Sequence, residues 1–138
     1  MKILVTGGAG FIGSAVIRLA IPREHSIVNV DALTYAACLD NVASVAGHPN
    51  YVFEHVDILD RERLDSVFSL HSPEVVMHLA AESHVDRSID GPTNFIKTNV
   101  NGTLNMLEAA RCYWEAKGRP ETFRFLHVST DEVFGSLP

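Results

Sequence analysis

Five short apolar runs recur along the chain, and turn residues follow each of them. Stretches with apolar positions three or four apart come between, the alternation expected of strands and amphipathic helices. Lys2 to Thr6 is the first strand, and the pattern from Phe11 to Ala20 predicts the first helix, which Pro22 ends. Residues 26–30 read as the second strand, with Asp31 at its C-terminal end. Residues 32–41 read as a loop whose tail, with Val42, Val45 and Ala46, leads into a short helix, and residues 47–50 carry turn chemistry. Residues 51–56 are the third strand, ending at Asp57. Asp60 is placed to cap a helix with Leu64, Val67, Phe68 and Leu70 as its apolar stripe. Ser72-Pro73 breaks that helix, and residues 74–80 form the fourth strand. The longest helical pattern runs from Pro92 to about Ala116, with Phe95, Ile96, Val100, Leu104, Leu107 and Ala110 at helical spacing. Gly118-Arg119-Pro120 stops it, and residues 123–129 are the fifth strand.

Strands that are apolar on both faces belong in a parallel sheet covered by helices on both sides. The first turn sharpens this. Gly7, Gly10 and Gly13 stand at three-residue intervals between strand and helix, and Gly8-x-Gly10-x-x-Gly13 satisfies the dinucleotide fingerprint. Glycine allows the sharp turn, the approach of a pyrophosphate to the backbone and the close seating of the helix. The helix start then offers N–H groups and partial positive charge to the phosphates. The expectation is an α/β fold: a Rossmann-type doubly wound parallel sheet of order 3-2-1-4-5, with ligands beyond the C-terminal strand ends.

Composition fits one soluble domain over residues 1–138, with 46% hydrophobic and 20% charged residues and no repeat. A formal charge of -6 with scattered basic residues argues against a nucleic-acid groove or an anionic membrane surface. No apolar run has transmembrane length, and the chain enters a core strand at once, leaving no room for a cleavable signal. Cys38 and Cys112 are too few and too far apart for a disulfide framework and read as packing residues, which fits a cytoplasmic location.

The candidate ligand residues all fall at strand ends. Asp31 lies eighteen residues beyond Gly13, near the interval for the acid that accepts hydrogen bonds from the adenosine ribose. It would repel a 2′-phosphate, which favours NAD over NADP. Asp57-Ile58 can meet the adenine, although Asp57 can equally open the following helix. Leu79-Ala80-Ala81-Glu82-Ser83 ends strand four with small residues that let a flat ring pass close. His78 and His84 fit no standard zinc spacing, so no metal is expected, and His78 reads as a core histidine.

Thr6-Gly7-Gly8-Ala9-Gly10-Phe11-Ile12-Gly13, Asp31-Ala32-Leu33-Thr34-Tyr35-Ala36 and His78 through Ser88 together carry a resemblance, as do Thr98-Asn99-Val100-Asn101-Gly102-Thr103 and Ser129-Thr130-Asp131-Glu132-Val133-Phe134-Gly135. Over essentially its whole length the chain resembles the extended short-chain dehydrogenases/reductases, and among them the nucleotide-sugar 4,6-dehydratases of the dTDP-glucose type. The resemblance implies NAD contacts from Phe11, Ile12, Asp31, Ala32, Leu33, Thr34, Asp57, Ile58, Leu79, Ala80, Ala81, Glu82, Ser83 and Thr98. It implies that Ser83 and Thr130 also reach a sugar nucleotide such as dTDP-glucose. Asp131 would be the general acid and Glu132 the general base of water loss, between oxidation at C4 and reduction at C6 of the hexose. An adjacent acid pair suits that split, because close like charges push their pKa values apart. The sequence departs from the family at Ala37-Cys38, where relatives often carry Gly-Asn, and at Phe134, a frequent Tyr.

The family's redox base is a tyrosine in a Tyr-x-x-x-Lys string after strand five. Here one such string, Tyr113-Trp114-Glu115-Ala116-Lys117, precedes strand five, and it reads as coincidence. The expectation is therefore a truncated, inactive NAD-binding portion whose long helix from Pro92 to Ala116 pairs two copies into a homodimer and whose strand five is a bare edge. Two alternatives stand beside it: a non-catalytic dinucleotide-binding or interaction module, and part of another sugar-nucleotide enzyme such as a 4-epimerase. Asp131-Glu132 argues against the epimerase, which loses no water.

Overall fold

The structure, a computed structural model, describes residues 1–83 and 91–135, and for Asp131 and Glu132 the backbone alone. Its strands are β1 (Lys2–Thr6), β2 (Ser26–Asp31), β3 (Tyr51–His55), β4 (Val75–His78) and β5 (Arg124–His127). They form one sheet in the order β3-β2-β1-β4-β5, and every pairing is parallel. This is the expected doubly wound order, with β1 at the centre and the switch point between β1 and β4.

Alternation along β1 divides the core. Ile3 and Val5 face α1 (Phe11–Ala20), packing with Ile17, Ala20, Ile21, Val42 and Val45. Leu4 points the other way, into a cluster with Val28, Val30 and Val76 from the sheet. Leu64, Val67 and Phe68 of α2 (Arg61–His71) and Met106, Ala109 and Ala110 complete that cluster. Successive strand side chains serve opposite faces, so both layers come from the same apolar runs.

Several boundaries and faces differ from the sequence reading. β4 ends at His78, because the Leu79 and Ala80 N–H groups turn inward to the Thr6 hydroxyl at 3.2 Å each. Leu70 is 73% exposed and does not belong to the α2 stripe. It lies about 240° around the helix from Leu64 at 100° per residue, and its neighbour His71 turns inward to Glu54 at 2.7 Å.

The long helix is not one α-helix. It starts as α3 (Pro92–Phe95), widens into a π-helical segment (Ile96–Gly102) and resumes as α4 (Thr103–Ala116). Its expected stripe is largely the outer one: Ile96, Val100, Leu104 and Leu107 are exposed, and of the stripe only Ala110 is buried. The inner positions are Gly102, Met106, Ala109 and Ala110. Gly102 lies directly against Ile58, where a Cβ would stand 2.5 Å from Ile58 Cδ1, and apolar periodicity alone could not tell which stripe turns inward.

β5 is a sheet edge, as expected. On the α1 side of the sheet Val75 and Met77 are half-buried and Leu126 and Val128 are exposed, so the helical cover stops short of β5.

Candidate functional site

A cleft of about 1060 Å³ opens at the C-terminal ends of the strands. Its floor is the turn from β1 into α1. Gly7 adopts φ +70°, and its N–H donates to the Val30 carbonyl at 2.9 Å. A Cβ on Gly7 would stand 2.8 Å from the Ala80 nitrogen, so β1 and β4 approach as closely as backbone allows. Gly10 precedes α1 without any side-chain cap. Phe11 and Ile12 follow it at the open helix start, 90% and 59% exposed. An uncapped helix start with two large apolar residues turned outward suits a ligand that brings its own anionic acceptors.

Asp31 forms the second wall. Its carboxylate is buried and accepts hydrogen bonds from the Ala9 N–H at 2.9 Å and the Leu33 N–H at 2.8 Å. Each carboxylate oxygen keeps a further lone pair for a hydroxyl donor. Ala32 and Thr34 line the cleft beside it, whereas Leu33 lies outside the lining and contributes its N–H to Asp31.

Asp57 and Ile58 line the same side. Asp57 does not open α2: its carboxylate accepts from the Leu59 N–H at 2.9 Å, and Asp60 caps the helix through the Arg63 N–H at 3.1 Å. The turn is held by a residue the sequence reading missed. Asn105 donates to both the Ile58 and Leu59 carbonyls at 3.1 Å.

The third wall is the exit of β4, where Leu79, Ala80, Ala81, Glu82 and Ser83 line the cleft together with Thr98 and Thr130. Asn99, a quoted family residue without an expected role, pins this stretch. Its side-chain amide accepts from the Glu82 N–H at 2.8 Å and donates to the Glu82 carbonyl at 2.9 Å. Asn99 sits in the π-helical segment, and such segments are enriched at functional sites. Asp131 and Glu132 begin a 3-10 turn just after Thr130, and their side chains lie outside the described residues. So does the stretch 84–90, with His84 and the rest of the Ser-His-Val-Asp-Arg-Ser motif.

Beneath this wall lies a polar relay. The Thr6 hydroxyl accepts from the Leu79 and Ala80 N–H groups and donates to His78 Nδ1 at 2.6 Å. With Nδ1 accepting, Nε2 carries the proton and donates to the Thr103 hydroxyl at 3.1 Å. Both ring nitrogens are thereby committed, which goes beyond the single satisfied nitrogen expected of a core histidine. Burial, with the neighbouring His127 ring adding to it, lowers the His78 pKa to about 4. His78 is neutral at pH 7.

Tyr113 of the Tyr-x-x-x-Lys string is placed away from the cleft. Its hydroxyl donates to the Pro73 carbonyl at 3.1 Å, before β4 begins and thus at the opposite end of the sheet. Cys38 and Cys112 are both free and exposed. Exposure corrects the reading of them as packing residues. Among the described residues no cluster of His, Cys, Asp and Glu is disposed to hold a metal ion, and no helix is long and apolar enough to cross a membrane.

The strand order and the cleft invite comparison with known proteins. The chain is 58% identical to the dTDP-glucose 4,6-dehydratase of Shigella flexneri over 141 residues, covering 100% of this chain and 39% of that protein. The dTDP-glucose 4,6-dehydratase DesIV of Streptomyces venezuelae, crystallised with NAD, matches at 42% identity and a TM-score of 0.86, covering 100% of this chain and 42% of that one. The UDP-glucose 4-epimerase of Thermotoga maritima, crystallised with UDP-glucose, matches at 38% identity and a TM-score of 0.80 over 94% of this chain and 38% of that one. The chain therefore spans about two-fifths of the length of the curated relatives it matches. The family model described as GDP-mannose 4,6 dehydratase matches residues 4–138, which takes in every wall of the cleft. By that match the chain belongs to this 4,6-dehydratase family, within the extended short-chain dehydrogenases/reductases that its glycine turn and strand-end motifs resemble.

Proposed function

We propose that the cleft binds NAD and that the chain is the dinucleotide-binding portion of a nucleotide-sugar 4,6-dehydratase acting on dTDP-glucose. The observation that carries this reading is the buried Asp31 carboxylate, fixed by two backbone N–H groups beside an uncapped helix start. The bound relatives and their names support it. Phe11, Ile12 and Gly13 would present the helix start to the pyrophosphate, with Gly7 and Gly10 keeping the turn free of side chains. Asp31 would hold the adenosine ribose, flanked by Ala32, Leu33 and Thr34, and Asp57 and Ile58 would meet the adenine. Leu79 to Ser83 and Thr98 would line the nicotinamide side.

Bound NAD would supply a hydride acceptor for C4 of the hexose and a hydride donor for C6. Ser83 and Thr130 would hold the sugar by their hydroxyls. Glu132 would remove the C5 proton made acidic by the C4 ketone and return a proton to C5 as C6 is reduced, and Asp131 would protonate the departing C6 hydroxyl so that it leaves as water. An adjacent acid and base serve water loss and not epimerisation, which favours the dehydratase reading over that of a 4-epimerase. The C4 oxidation needs a base that Tyr113, turned to Pro73, does not supply. The chain by itself is accordingly inactive.

Titration with NADH by fluorescence tests the reading. The chain binds NADH, NADPH binds at least tenfold more weakly, and Asp31→Asn narrows that difference by removing the charge. Equal affinity of the unmodified chain for both dinucleotides would sink the Asp31 assignment. Formation of 4-keto-6-deoxy sugar by this chain would refute its inactivity.

The outer stripe of Ile96, Val100, Leu104 and Leu107 is our candidate homodimer face. Sedimentation should show a dimer, and Leu104→Glu should shift it to monomer. A monomer at high concentration would count against the face.

A further inference from the structure

The cleft carries one contact that the dinucleotide reading leaves unused. The Tyr35 hydroxyl donates to the Glu82 carboxylate at 2.8 Å. Tyr35 belongs to the loop after β2, and Glu82 follows β4. In the sheet these strands flank β1 on either side. The contact thus joins opposite walls, passing over the side where the glycine turn and the start of α1 form the floor. Thr34, Ala36 and Glu82 line the cleft at its two ends.

Both ends of this bridge are anchored through backbone. Leu33, at φ +53° with its N–H on Asp31, reverses the chain. A turn closed by the Ala37 N–H on the Thr34 carbonyl at 3.0 Å then carries Tyr35 at its tip. The far end of that loop is tied to the floor, where the Ala9 carbonyl accepts from the Cys38 N–H at 3.1 Å and the Asn41 amide at 2.9 Å. On the other side Asn99 holds Glu82 by both its N–H and its carbonyl. A bulky residue at positive φ costs free energy and persists where the surroundings over-determine it. A surface pair between mobile side chains is weak, since ordering both opposes it. Here the backbones are already ordered, and the acceptor is charged, which strengthens the hydrogen bond.

We propose that Tyr35, which lies outside the cleft lining, forms with Glu82 a latch across the cleft that must open for the dinucleotide to enter or leave. The proposal rests on the NAD reading above. A cofactor that is restored within each cycle has no chemical need to exchange, and a latch across the cleft makes its exchange slow.

Stopped-flow fluorescence with NADH, on the full chain and on Tyr35→Phe and Glu82→Gln, tests it. A latch slows entry and exit alike. Tyr35→Phe should therefore raise the association and dissociation rates together, each by about three- to tenfold, while Kd changes by less than about twofold. Glu82→Gln keeps an acceptor without the charge and should fall between. A rise in the dissociation rate alone would mean a simple ligand contact and overturn the latch, as would unchanged rates. Failure of the unmodified chain to bind NADH would overturn the dinucleotide reading itself and the latch with it.

Discussion

Gly13→Ala destabilises the chain by about 3 kcal/mol, the upper end of the usual cost of overpacking, and it removes tight dinucleotide binding. A Cβ on Gly13 would lie 2.2 Å from the Gly7 carbonyl oxygen and 2.7 Å from the Gly8 Cα. Both are backbone atoms of the turn, so no change of rotamer relieves the clash. The start of α1 must swing away from β1, and the floor of the cleft goes with it. Gly10 differs. The nearest heavy atom to its Cβ would be the Gly7 carbonyl oxygen at 3.2 Å. Gly10→Ala should therefore stay within about 1 kcal/mol of the parent stability while weakening NADH binding, because the added methyl occupies space that the ligand would use. Urea midpoints and NADH titrations of the two variants separate these roles. If Gly13→Ala were as stable as the parent, the close seating of the helix would not be what this glycine provides.

Acid weakens the fold through His78, by about 3 kcal/mol if the whole titration is traversed. In the folded chain His78 has a pKa of about 4, and its ordinary value is 6.5. Between these pH values the unfolded chain binds a proton that the folded chain refuses. Stability from this group is thus complete above about pH 6.5 and is lost as pH falls toward 4. The main cause is burial, the His127 ring adds to it, and the hydrogen bonding agrees: a protonated Nδ1 could no longer accept from Thr6, whose hydroxyl already accepts two backbone N–H groups. Urea unfolding at pH 7.5 and 4.5 of the parent and of His78→Gln measures it. The remaining ionisable groups are common to both proteins, so the difference between the two pH dependences reports on His78. The parent should lose about 2–3 kcal/mol more than the variant. Parallel losses would show that the relay does not govern the acid limb.

The sheet was legible because buried parallel strands are written as runs, and their glycine and proline boundaries are local. Asp31 could be found for the same reason: it stands at a strand end, at a fixed distance from a turn. The polar contacts that build the walls were not legible. Asn99 meets Glu82 across 17 residues, Asn105 meets Ile58 across 47, and Thr6 meets His78 across 72. No window of sequence holds both partners of such pairs. The long helix misled for a different reason. Most of its larger apolar residues lie on the outer face, while the inner face sets glycine and alanine around the single large Met106, so weighting positions by hydrophobic size selects the wrong side. Cys38 and Cys112 misled similarly, since an apolar side chain says nothing of which face it occupies.

The contact between Ile58 and Gly102 joins the Asp57-Ile58 wall of the cleft to the π-helical segment. A Cβ on Gly102 would stand 2.5 Å from Ile58 Cδ1. The volume available there is shared between two positions far apart in the chain, and neither can enlarge unless the other shrinks. Gly102→Ala alone should be harmful, and Ile58→Val beside it should restore part of what was lost. Among homologous chains the pair would then drift as a unit, leaving a correlated trace of a contact that each residue, taken singly, does not reveal.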